Sequence, residues 1–191
     1  MEAIRLDVKW FMAEGSSLPL DAFVPVMHRW IQTKALGGLL IDVASYAHVP
    51  QGPGVVLVGH HAHHSIDEAG GRRGLLYSRR RDATGTFAER ARDAISQALH
   101  AARLLETDRD LAGKVRFDGS ELLFRINDRL LAPATPETLA ATRAGLAATL
   151  DLLWGQGQYR VEPATGSGQM FQILVKSTQP RRLQELLERL A

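Results

Sequence analysis

Five of the seven histidines fall between His48 and His64, a density that could hold a divalent ion. Imidazole and carboxylate together suit zinc or another divalent cation, with water free to complete the set. Asp42 would supply the carboxylate. Residues 50–54, Pro-Gln-Gly-Pro-Gly, read as the loop of a β-hairpin joining strands 39–49 and 54–64. In that register Val49 faces Val55, and Asp42 faces Ala62. Alternation then collects Asp42, Tyr46, His48, His60 and His64 on one face, and Ile41, Val43, Val55 and Leu57 on the core face. The expected metal ligands are Asp42, His60, His64 and His48, and a slip of one residue would dissolve the group. The competing reading leaves these as surface histidines at strand ends.

The run from Gly54 to Asp67 resembles the strand-then-HxHxDH signature of the metallo-β-lactamase superfamily. His61 and His63 match its first two histidines, but Ser65 stands at its aspartate and Ile66 at its last histidine. No recognisable catalytic motif remains. The chain therefore reads as a binding or assembly protein rather than an enzyme. A small metal-dependent hydrolase using the Asp42/His60/His64 face, with His48 or Tyr46 moving protons, is the alternative.

A second chemistry lies downstream, where Arg72, Arg73, Arg79, Arg80 and Arg81 form a basic run and Tyr77 alternates with Arg79. Guanidinium groups hold carboxylate or phosphate through charge-assisted hydrogen bonds. Arg72, Arg73, Tyr77 and Arg79 are thus expected ligands of a small anion. The competing account is a sheet edge protected from strand addition by like charge. Nucleic acid is not an expected partner, because 23 basic residues against 21 acidic give a net charge of only +2.

The elements that must position these residues alternate between two periods. Residues 2–12 alternate as a half-buried strand, with Ile4, Leu6 and Val8 opposite Arg5, Asp7 and Lys9. Phe23, Val26, Met27, Trp30 and Ile31 mark an amphipathic helix that Gly37-Gly38 would cap. After the histidine hairpin, a third strand over 74–80 precedes a long helix over 86–106. Strands over 115–117 and 121–131, turning at Asp118-Gly119, open the second half. A helix over 137–153 with Thr135 as N-cap follows. Strands 158–163 and 169–176, joined by a turn at 164–168, lead to a terminal helix from Pro180.

These elements predict an α+β protein: an antiparallel sheet with helices on one face, built from two strand–helix–hairpin–helix halves in a duplicated ferredoxin-like or related arrangement. The halves are residues 1–110 (βαβββα, one extra strand) and 111–191 (ββαββα), sharing one core. Absent cysteine excludes disulfides and thiolate metal sites. No apolar run reaches the length of a membrane span, and the N-terminus lacks a signal-peptide plan, so a soluble cytoplasmic protein is expected. A homodimer is an expected assembly. The segments Phe23–Gln32, Leu40–Tyr46, Gly52–Val58 and Asn127–Leu130 resemble a group of bacterial conserved hypothetical proteins. That resemblance implies a free-standing bacterial protein and carries no residue role across.

Overall fold

The computed structural model describes all residues except 1, 17, 51, 82, 112 and 165–169. Eight strands form one antiparallel sheet: β1 (Leu6–Met12), β2 (Leu40–Ser45), β3 (Val55–Gly59), β4 (Ala62–Asp67), β5 (Gly74–Arg79), β6 (Phe117–Ile126), β7 (Tyr159–Pro163) and β8 (Phe171–Ser177). Their order across the sheet is β2-β3-β4-β5-β1-β6-β8-β7. Four helices, α1 (Val24–Thr33), α2 (Phe87–Thr107), α3 (Pro136–Trp154) and α4 (Leu183–Leu190), cover the face lined by Leu6, Val8, Trp10, Leu57, Phe124 and Ile173. The α+β class and the helix-covered antiparallel sheet agree with the sequence pattern.

Helix boundaries follow local chemistry. Thr86 and Glu89 form a reciprocal capping box at the start of α2, and the Thr135 hydroxyl accepts from the Thr138 amide at the start of α3. α1 ends sooner than its glycines suggest. Lys34 takes the left-handed conformation (φ 52°) and its amide bonds back to the Ile31 and Trp30 carbonyls. Pro25 sits in the first turn, where its missing N–H costs nothing.

Three strand expectations are corrected. The second histidine strand is two strands: β3 and β4 turn about His60-His61, with Leu57 opposite His64 and Val55 opposite Ile66. Gly59 permits this turn, because a Cβ there would collide with the Ala62 carbonyl oxygen. The β2–β3 register is also shifted: Ser45 faces Val55 and Asp42 faces Val58, so β2 leaves the ladder after Ser45 and not at Val49 as expected. In the second half, Asp118 and Gly119 lie inside a single strand, β6, rather than in a hairpin turn. The turn expected at 164–168 falls, beyond Ala164, outside the described residues. The chain thus runs strand, helix, four-strand meander, helix, and then strand, helix, hairpin, helix.

β1 is more buried than its alternation implies. It lies between β5 and β6 at the sheet centre, so Asp7 and Lys9 on the helix-free face are 3% and 2% exposed. Each has a partner: Arg125 Nε donates to Asp7 Oδ2 at 2.9 Å, and Lys9 donates to Asp67. The partners compensate the loss of water that burial imposes on each charge.

Candidate functional site

The β3–β4 turn, the end of β5 and the middle of α2 converge with the Gly37-Gly38 loop around a cavity of about 290 Å³. His64 and Tyr77 face each other across the β4–β5 ladder, both toward the helices, with ring centroids 5.2 Å apart in an edge-on contact. Two residues further along β5, alternation puts Arg79 on the same face. Asp93 comes from α2 and ion-pairs with Arg79, while Gln97, one turn on, donates to Asp93 at 3.4 Å. His61 and the exposed Arg81 complete the mouth.

Two features of this cavity lie outside ordinary core packing. His64 is 3% exposed, yet neither ring nitrogen has a hydrogen-bond partner among the described residues. The Nε of Arg79, also buried, has none either. A buried polar group left unpaired costs about 1–3 kcal/mol, so such groups on one cavity wall mark a place where something else completes the bonding. Burial, with smaller contributions from the nearby charges of His63 and His100, pushes the His64 pKa down to about 4. The ring is therefore neutral at pH 7, offering one N–H and one lone pair. A base this weak is poorly matched to proton transfer near neutrality but well suited to hydrogen bonding.

The expected metal ligands are not brought together. Asp42 pairs with Val58 and so projects to the helix-free face, where its Oδ1 accepts from the Val43 amide. His64 projects to the helix-covered face, His60 sits exposed in the β3–β4 turn, and His48 lies in the loop at the other end of the β2–β3 hairpin. Among the described residues, no three His, Asp or Glu side chains cluster as a metal-binding group. The expected anion ligands divide as well. Tyr77 and Arg79 line the cavity, whereas Arg72 binds Glu121 (2.6 and 3.0 Å) and Arg73 binds Glu68 and the Leu18 carbonyl. β5 is an interior strand, so edge protection does not explain its arginines.

The alternation pattern sets His64 beside Asp42 and His60, which the observed register separates, and it gives Asp93 and Gln97 no part in the site. Their spacing of four on α2 was a visible signal that both share one helix face, but nothing local tied that face to β4.

No protein-family model matches the chain, and comparison with curated proteins and with solved structures returns no match. No helix among the described residues is long and apolar enough to cross a membrane.

Proposed function

We propose that the protein is a binding module for a small carboxylate that also carries a hydrogen-bond donor, such as a hydroxy acid or an amino acid. The observation that carries this reading is the buried, unpaired imidazole of His64 on the wall of a cavity that Arg79 and Arg81 also line. Arg81, exposed at the mouth, would meet the negative charge, and a ligand that displaces the side chains sealing the inner wall would take one hydrogen bond from His64, give it one, and accept another from the Arg79 Nε–H. Among the described lining residues, Arg79 and Arg81 against Asp93 leave one net positive charge, which suits a monoanion better than a dianion. Tyr77 would hold the imidazole plane by its edge-on contact. The topology also supports an expanded ferredoxin-like reading of the scaffold. β7 runs parallel to β6 with β8 between them, and β2 runs parallel to β1 with three strands between.

Thermal-shift measurements with lactate, glycolate, malate and free amino acids test the reading. A ligand at saturating concentration should raise the melting temperature of the wild type, with about 2.7 kcal/mol of stabilisation at a hundredfold excess over Kd. His64→Phe and Arg81→Ala should each abolish or sharply reduce that rise. Failure of every such acid to stabilise the wild type, or an undiminished response in His64→Phe, overturns it.

A further inference from the structure

We infer a second ligand site, for a phosphoryl group, on the opposite face of the same sheet corner. A cavity of about 410 Å³ there is lined by Arg5, Arg80, His60 and His63, with Ile41 and Val58 as its apolar wall, and it shares Arg81 and Gly59 with the carboxylate cavity. Among the described residues no carboxylate lines it.

Elsewhere on the protein several arginines are neutralised by neighbouring acids. Arg29 binds Asp108 and Asp110, Arg72 binds Glu121, Arg73 binds Glu68, Arg79 binds Asp93 and Arg125 binds Asp7. Arg5, Arg80 and Arg81 have no side-chain partner among the described residues. The charge of Arg80 acts on Asp7, and Asp7 already accepts from Arg125. Three guanidinium groups around one concavity repel one another, and an anion with several oxygens relieves that repulsion while accepting from more than one of them.

The site is also held in shape by the backbone. The amides of Arg80 and Arg81 both donate to the His61 carbonyl, at 2.8 and 3.2 Å, and the His60 amide donates to Leu39 O at 2.8 Å. These bonds fix the β3–β4 turn against the end of β5 and the start of β2. The Gly59 amide donates to His63 Nδ1 at 3.3 Å, tying that ring to the turn. The backbone that carries these donors is thus set before any ligand arrives, and binding has only the exposed arginine side chains to order. A phosphate dianion or phosphomonoester matches this positive set, which holds no carboxylate among the described lining residues, better than a monoanion does.

Calorimetric titration with inorganic phosphate and pyrophosphate tests the site, using Arg5→Ala/Arg80→Ala, whose residues line only this cavity. An equally charged control, Arg109→Ala/Arg129→Ala, alters exposed arginines elsewhere. The wild type and the control should bind pyrophosphate alike, and Arg5→Ala/Arg80→Ala should bind it at least about tenfold more weakly. His64→Phe should leave this binding unchanged, which separates the site from the carboxylate cavity. No saturable binding to the wild type, or equal weakening in both double variants, overturns the inference.

Discussion

Lys9 Nζ lies 2.6 Å from Asp67 Oδ2 on the helix-free face of the sheet, and both side chains are almost without solvent contact. The same ammonium donates to the carbonyl oxygens of Arg72 at 2.5 Å and Ala69 at 3.4 Å, so its donors are used. Burial pulls the Lys9 pKa down and the Asp67 charge pulls it back up. The pair ties the central strand to the β4–β5 connection, which is the other end of the two strands that carry His64 and Tyr77.

Removing one member of this pair strands the other charge. Lys9→Met should cost about 3–5 kcal/mol, whereas Lys9→Met/Asp67→Leu should recover most of that loss by replacing both charges with apolar volume. Urea denaturation of the three proteins checks this. A loss below about 1 kcal/mol in the single variant would mean the buried pair contributes no more than a solvated one.

His64 makes stability depend on pH in a definite direction. Folding holds the ring at about 4, against an ordinary value of 6.5 that returns on unfolding. Between these values the unfolded chain binds the proton and the folded chain does not, so acid favours unfolding. The contribution is complete above pH 6.5 and is lost as the pH falls toward 4, by about 3 kcal/mol at most. His64→Phe should show a shallower fall in urea midpoint between pH 7 and pH 4 than the wild type. Parallel profiles would show that the imidazole is not held neutral.

α2 brings Asp93 and Gln97 to the cavity, and its first turn depends on one reciprocal cap. The Thr86 amide donates to Glu89 Oε2 at 2.7 Å, and the Glu89 amide donates to the Thr86 hydroxyl at 3.3 Å. Thr86→Ala should lower stability by about 1 kcal/mol, and Thr86→Asn should restore most of it. Chemical denaturation of both variants reads the difference directly. Equal losses in the two would place the effect in packing instead of capping.

Local chemistry made the helices legible. Thr86 and Thr135 announce their starts, and the spacing of Phe23, Val26, Met27 and Trp30 marks the buried side of α1. The sheet was legible as alternation but not as register, because register depends on which residues turn. His60-His61 carries no turn signature of its own; the turn is possible because Gly59 makes room for the Ala62 carbonyl. That one turn separates His60 from His64 and leaves Asp42 on the other face. Lys9 read as a solvated residue, since its partner lies 58 positions away. Tyr77 and Arg79 were legible as a pair because alternation alone puts them on one face, whereas His64 and Asp93 join them through ladder and helix packing.

Gly119 shows the same non-local dependence in a form that can be measured. It lies within β6, where a Cβ would fall on the carbonyl oxygen of Arg181, the residue before the N-cap of α4. Its own carbonyl accepts from the indole of Trp154 at 2.9 Å, at the end of α3. One missing side chain thus lets β6 receive both C-terminal helices. Gly119→Ala must push the segment before α4 away, and should cost about 1–3 kcal/mol. The Trp154 contact should loosen with it, visible as a red shift in tryptophan emission. Gly37 is the matched control: a Cβ there meets nothing within 4 Å, and its backbone needs no positive φ. Gly37→Ala should be neutral or stabilising by up to about 1 kcal/mol, through a less flexible unfolded chain. Similar urea midpoints for the two variants would place the Arg181 segment elsewhere than against β6.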